Sequence, residues 1–234
     1  MLSVVVPAFN EAARLPPTLA RLREWLDAGG EAYEVIVVDD GSRDETADAT
    51  DAVRAGWPEL ELLRLPVNTG KGAAVRAGML RARGDLRLFS DADLSAPIED
   101  LPRLRERIGG RCHVAIGSRA VDRSLVEVHQ PFHRELMGRA NNLLIRALVL
   151  PGIRDTQCGF KLFTADAAIA CFAPLRTLRF GFDVEVLVRA RRCGWTVAEV
   201  PVRWRHVEAS RVHPLRDSTR MIWDLARIRL RRER

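Results

Sequence analysis

The chain has 234 residues, 47% of them hydrophobic and 29% charged, the make-up of an ordinary folded domain. Four widely spaced cysteines (Cys112, Cys158, Cys171, Cys193) form no Cys-x-x-Cys pair, which argues against a zinc site or a disulfide framework. No uncharged apolar run approaches the ~20 residues needed to span a bilayer. The net charge of +6 suits anionic ligands of several kinds without choosing among them, because only Lys71 and Lys161 among 37 basic residues are lysine and the arginine bias has other causes.

Leu2 to Val6 is a short β-branched run ending at Pro7 and reads as a buried strand, with no room before it for a signal peptide. The spacing predicts a helix over Leu15 to Ala28, with prolines in its first turn and Gly29-Gly30 as its stop. Glu34 to Val38 is a second strand, and Ser42 with Glu45 has capping-box spacing for another helix. Leu60 to Leu65 is a third strand, and Lys71 to Arg83 a helix closed by Gly84. Leu86 to Ser90 is a fourth strand, which delivers Asp91-Ala92-Asp93 at its end. This alternation predicts an α/β fold with a mostly parallel central sheet and helices on both faces, ligands sitting beyond the carboxyl ends of the strands.

The second half is less regular. A helix over His133 to Leu150, a loop over Pro151 to Cys158 and a strand over Gly159 to Phe163 are expected. Val184 to Arg192 reads as helical, Thr196 to Trp204 alternates as a strand, and Pro214 to Arg232 is an amphipathic helix. There is no linker composition and no repeat, so one domain over 1–234 is expected.

Two nucleotide signatures are missing. Gly70-Lys71-Gly72 lacks the flanking residues of a P-loop, and no Gly-x-Gly-x-x-Gly follows the first strand. Asp91 and Asp93, two apart at a strand end, point the same way. Such a pair can hold Mg²⁺ or Mn²⁺, hard cations that share oxygen ligands with substrate phosphates; taken alone, Asp-x-Asp is more often a solvated turn. Asp39-Asp40 alone reads as a polar turn. Together with Pro7 to Glu11 at the end of the first strand, the two strand tips would make a pocket with a ring, Phe9, and carboxylates, Glu11 among them, for a base and ribose. Lys71 and Arg76 follow, placed either to face phosphate or to pair with the acidic cluster.

Four segments in order resemble the inverting family 2 glycosyltransferases of the GT-A (Rossmann-like) fold: Val5-Val6-Pro7-Ala8-Phe9-Asn10-Glu11, Val38-Asp39-Asp40-Gly41-Ser42, Gly70-Lys71-Gly72-Ala73-Ala74-Val75-Arg76 and Asp91-Ala92-Asp93. Gly117-Ser118-Arg119, the run from Gly152 to Phe163, and Phe182-Asp183-Val184-Glu185 resemble the dolichyl-phosphate β-glucosyltransferase branch, kin of the dolichyl-phosphate mannose synthases. The resemblance implies transfer of a hexose from a nucleotide sugar, UDP-glucose or GDP-mannose with the glucosyl donor favoured, to a polyprenyl (dolichyl or undecaprenyl) phosphate. It implies that Pro7, Phe9, Glu11 and Asp40 hold the nucleoside, that Asp91 and Asp93 bind the metal, and that Arg211 closes a loop over the diphosphate. Ser118, Arg119 and Arg134 would receive the acceptor phosphate, making Asp91, Asp93, Arg119 and Arg134 the catalytic set. Ser95 stands where the mannose synthases carry a third metal contact, a Gln. Residues 1–95 would then form the nucleotide-sugar half, 96–213 the acceptor half and 214–234 a basic amphipathic helix.

A phosphate acceptor is already anionic and needs positioning and charge screening, whereas a sugar hydroxyl needs a general base. No single carboxylate, Asp155 and Asp183 included, is therefore expected to be an essential base. Met221, Ile222, Leu225 and Ile228, opposite Arg216, Arg220, Arg227 and Arg231, form either a core-packed helix or one lying on anionic lipid. Leu143, Leu144, Ala147 and Leu148 offer a second apolar face to a lipid tail. The expected location is cytoplasmic, peripheral on the membrane. A soluble or glycan acceptor and a silent nucleotide-sugar-binding protein are the competing readings. Nucleic acid is disfavoured despite a pI of 9.9, because aromatic residues are few and the basic ones dispersed.

Overall fold

The computed structural model describes residues 1–128, 132–206 and 223–230, with side chains for all of these except 132–135, 137 and 139–141. The first half runs β1 (Leu2–Ala8), α1 (Leu15–Gly29), β2 (Tyr33–Asp39), α2 (Thr46–Arg54), β3 (Leu60–Arg64), α3 (Lys71–Arg81) and β4 (Leu86–Ser90). Next come α4 (Leu101–Arg105), β5 (Cys112–Ser118), β6 (Val126–Val128) and α5 (Phe132–Leu148). The remainder is β7 (Phe160–Thr164), α6 (Ala165–Phe172), α7 (Phe182–Arg192), β8 (Thr196–Pro201) and β9 (Trp204–Arg205). Residues 223–230 are helical.

Seven strands form one sheet in the order β3-β2-β1-β4-β7-β5-β8, while β6 and β9 pair separately. Every pairing in the large sheet is parallel except those of β7, which runs against both β4 and β5. Period-two alternation sorts β1 between two cores. Val4 and Val6 pack on one face with Leu15, Leu19, Leu22 and Leu26 of α1, and Val5 packs on the other with Ala74, Val75 and Met79 of α3. Each buried α1 leucine contributes roughly 1.5–3 kcal/mol. Gly30, at φ 64, ends α1 in the left-handed region that glycine enters without a Cβ penalty.

Several local expectations shift. β1 continues through Pro7 to Ala8; its pairing with β4 stops at Val5, so the missing imino proton interrupts no bond on that side. The capping box does not form. Ser42 Oγ instead accepts the Asn10 N–H at 2.8 Å, and Asp44 accepts the Thr46 N–H at 3.1 Å where α2 begins. The alternating stretch from Thr196 divides into β8 and β9, and β5, α4 and α6 are elements that periodicity did not signal. In the C-terminal helix Leu225 and Ile228 are buried in the core, so they cannot meet lipid; Met221, Ile222 and the rest of that stretch outside 223–230 lie outside the described residues. Leu144 also packs against the core, whereas Leu143, Ala147 and Leu148 are exposed, as is Leu136 earlier on α5.

Candidate active site

The tips of β1 and β2 are tied together by side chains. Asn10, at φ 53, donates its N–H to Ser42 and accepts the Arg43 N–H on its side-chain oxygen at 2.7 Å. A left-handed non-glycine residue costs about 1–3 kcal/mol and persists only where its surroundings hold it, as these bonds do. Phe9 is partly exposed beside it, whereas Pro7 is buried within β1. Glu11 is held by both nitrogens of an Arg14 fork at 2.6 Å. Asp40 is only 2% exposed, and its two oxygens accept the N–H groups of Thr69 (2.9 Å) and Gly70 (2.8 Å). Burial nevertheless raises its pKa, the backbone donors notwithstanding. The geometry thus makes Asp40 a brace for the start of α3, which carries Lys71.

Beyond β4 the Asp91-Ala92-Asp93 turn is fixed from three sides. Thr18 of α1 donates to the Ala92 carbonyl at 2.7 Å, the Asp91 N–H bonds the Gly159 carbonyl at 3.0 Å, and Asp93 accepts the Ser95 N–H at 2.9 Å. Leu94 takes φ 45 to complete the turn. Lys71 Nζ stands 2.6 Å from Asp91 Oδ1, yet that buried oxygen makes no aligned hydrogen bond, so the contact is charge against charge. Burial would lower the Lys71 pKa, but the charges of Asp91 and Asp183 raise it. Lys71 therefore joins the acidic turn and not Asp40. Arg76 leaves the site: its guanidinium donates to the carbonyls of Phe172 and Ala173 at 3.0 and 2.9 Å, fastening α3 to the end of α6.

Two carboxylates on one turn, Asp91 already drawing the Lys71 ammonium to 2.6 Å, suit a cation that completes its shell with substrate phosphates and water. Gly159 opens the space they need, since a Cβ there would collide with the Asp91 carboxylate. Among the described residues no cluster of three or more metal-ligating side chains occurs. Ser95 is tied in through its backbone, its N–H donating to Asp93 and its carbonyl accepting the Arg205 N–H at 2.9 Å.

The facing wall is built on Asp155, which is 1% exposed and accepts Arg119 Nε at 2.7 Å and Nη2 at 2.9 Å. Burial opposes its ionisation, but the Arg119 charge and hydrogen bonds prevail and hold its pKa at about 2. The Arg119 guanidinium lies 5.4 Å from the Trp204 ring centroid and feels the Asp91 charge. Two of its N–H groups go to Asp155, leaving the others for a ligand. Ser118 does not reach the cleft. It is buried and donates to Glu199 at 2.7 Å, and Glu199 also accepts the N–H groups of Arg154 and Asp155. Arg134 lies on α5 with its side chain outside the described residues, as is all of Arg211. Burial pushes the Cys158 thiol up to about 12, which makes it inert.

Three residues escaped sequence reasoning: Gly159, Glu199 and Arg179. Arg179 is exposed, its stem packs over Gly70, and its charge reaches Asp40. Gly159 stood inside the run from Gly152 to Phe163 already singled out in the sequence; the other two carried no signal.

A parallel α/β sheet with a paired-aspartate turn at its carboxyl edge, facing an anchored arginine, defines the nucleotide-sugar transferase class of GT-A architecture. Residues 3–172 match the description Glycosyl transferase family 2, and the chain belongs to that family. It is 38% identical over 236 residues to a dolichyl-phosphate beta-glucosyltransferase of Trichomonas vaginalis, covering 97% of this chain and 72% of that one. The Homo sapiens dolichyl-phosphate beta-glucosyltransferase is 36% identical over 243 residues, covering 98% and 75%. The fold matches a glucosyl-3-phosphoglycerate synthase from Mycobacterium tuberculosis, crystallised with Mn²⁺ and UDP-glucose, at a TM-score of 0.72 and 23% identity over 100% of this chain and 80% of that one.

Proposed function

We propose that this chain is an inverting hexosyltransferase that moves glucose from UDP-glucose to a polyprenyl phosphate. The observation that carries the acceptor class is the state of the two candidate bases. Asp155 is bound to Arg119 and Asp183 to Lys161, both buried, so neither is placed to take a hydroxyl proton. An acceptor phosphate needs no base. Arg119 would grip its oxygens, as guanidinium groups do, while one oxygen attacks the anomeric carbon and the bond to the diphosphate breaks on the opposite side. The tips of β1 and β2 would orient the nucleoside. Asp91 and Asp93 would hold a divalent ion, which would supply charge neutralisation for the departing diphosphate. The glucosyl assignment rests on the beta-glucosyltransferase relatives and on the run from Asp155 to Phe163.

The test is a donor screen by thermal shift with Mg²⁺ or Mn²⁺, followed by product assays. A ligand at 100 times its Kd stabilises the native state by about 2.7 kcal/mol, so UDP-glucose should raise Tm and GDP-mannose should not. Transfer to a short-chain polyprenyl phosphate is expected; transfer only to a soluble sugar or phosphorylated acid would overturn the acceptor assignment.

No helix among the described residues is long and apolar enough to cross a membrane. Peripheral contact with anionic lipid is supported by exposed Leu143 (66%), Trp223 (69%) and Leu230 (79%), with Arg146, Arg227 and Arg229 beside them in sequence. Liposome flotation at low and high salt tests this, and absence from the lipid fraction in both would refute it.

A further inference from the structure

The Arg119–Asp155 pair is held from behind by a second carboxylate. β8 lies at the edge of the large sheet beside β5, and its alternation buries Ala198 and Val200 in one core, so Glu199 between them points to the other face. Its neighbour across the ladder is the fully buried Ile116, an apolar setting for a charged group. What Glu199 binds accounts for its place. Its Oε1 accepts the Ser118 hydroxyl and the Asp155 N–H, each at 2.7 Å, and its Oε2 accepts the Arg154 N–H at 2.9 Å. Ser118 Oγ in turn accepts the Ala120 N–H at 3.2 Å, so that side chain spans Arg119 from the residue before it to the residue after.

One oxygen thus grips both members of the pair, the arginine through Ser118 and the aspartate through its own N–H. Holding the loop down does not require it, because Ile153 and Phe160 on either side of Asp155 are buried in the core. What remains for Glu199 to set is direction. The Asp155 carboxylate meets Arg119 at its backbone N–H (3.0 Å), Nε (2.7 Å) and Nη2 (2.9 Å). A guanidinium is a rigid planar fork, so when that carboxylate turns, the N–H groups it does not take turn with it. A bidentate grip on phosphate depends on that plane.

We propose that Glu199 is a positioning residue for the acceptor phosphate, fixing through Ser118 and Asp155 the plane in which Arg119 presents its remaining N–H groups. The inference rests on the reading of Arg119 as the group that grips this phosphate. It requires the reach of the Glu199 oxygen, not its charge, and it requires Arg119.

The experiment measures glucosyl transfer from UDP-glucose to a short-chain polyprenyl phosphate by the full chain with Mn²⁺, alongside UDP affinity by calorimetry. Glu199→Ala should raise the acceptor KM about tenfold while UDP affinity stays within about twofold. Glu199→Asp keeps the charge but draws the oxygens back by one methylene, and should behave like Glu199→Ala. Glu199→Gln keeps an oxygen for Ser118 and Asp155 and should restore the acceptor KM to within about threefold of wild type. In an Arg119→Met background, Glu199→Ala should change the acceptor KM by less than about twofold. An unchanged acceptor KM in Glu199→Ala, an equal rise in both backgrounds, or a parallel loss of UDP affinity would overturn the proposal. If Glu199→Ala gives no cooperative melt, the other two variants decide: a raised KM in Glu199→Asp with a restored one in Glu199→Gln sustains the proposal, and any other order defeats it. A wild type that transfers nothing to polyprenyl phosphate, or an Arg119→Met chain with unchanged acceptor KM, refutes the acceptor reading itself, and the inference falls with it.

Discussion

Gly159→Ala adds a single methyl group at the most crowded point of the site. The backbone of Gly159 lies outside the left-handed region, so alanine brings no backbone strain and the effect is one of space. The new Cβ overlaps the Asp91 carboxylate, which must rotate away. Leaving a favoured rotamer costs about 0.5–1.5 kcal/mol, and losing the partly exposed Lys71 contact about 0.2–1 kcal/mol. The sum, about 0.7–2.5 kcal/mol, corresponds to a fall in Tm of roughly 1–10 °C for a domain of this size. Turnover should respond far more strongly, because a displacement of about 1 Å in a reacting constellation can cost ~100-fold. The assay pairs a thermal melt with an Mn²⁺ titration of glucosyl transfer. Wild-type turnover with unchanged Mn²⁺ dependence would refute the placing of Asp91 at the chemistry, and a melt lowered far beyond about 10 °C would refute the claim that the damage is local.

Three further outcomes follow from the same geometry. Asp155→Asn should lower stability by about 3 kcal/mol, since breaking a buried ion pair leaves Arg119 without its counter-charge; acceptor KM should rise while UDP binding, measured by calorimetry, stays unchanged. Asp155 also sets an acid limit. Its pKa is depressed from the ordinary 3.8 to about 2, so its stabilisation is complete above about pH 4 and disappears as pH falls through 2. That loss, on the order of 2 kcal/mol, should appear in urea midpoints of the wild type and be absent from Asp155→Asn. Asp40→Ala strands the N–H groups of Thr69 and Gly70 at the start of α3, costing about 1–3 kcal/mol for each that stays buried. Donor KM should rise with it, and Asp40→Asn, which retains one acceptor oxygen, should fall between.

The first four strands were legible because each is a short apolar run, β-branched in β1 and β2 and leucine-rich in β3 and β4, punctuated by proline, glycine or paired aspartates. That local signal depends on nothing distant. Asp91 and Asp93 were legible for the same reason, as residues that end such a run. The roles of Arg76, Asp40 and Ser118 were not. Each carries the charge or hydroxyl suited to a ligand, yet its partner is a backbone group or carboxylate between 29 and 97 positions away. β5 and α6 were missed because their apolar runs are compact and lack period, and buried segments look alike in either conformation. The reversed direction of β7 also left no mark, because strand polarity is set by the route of the connections.

That reversal has a consequence for how such a protein can change its acceptor. A parallel strand offers its ligand edge only the loop that leaves it, whereas β7 offers the loop by which the chain arrives. Gly159 and Asp155 belong to that arriving loop, so the wall opposite the aspartate turn ends where β7 is anchored and begins at the exit of β5. The exposed surface of the chain between those two anchors can change its chemistry without altering the register of β1, β2 or β4, so long as Ile145, Leu150 and Ile153 keep their places in the core. One half of the reaction can drift while the other stays in place.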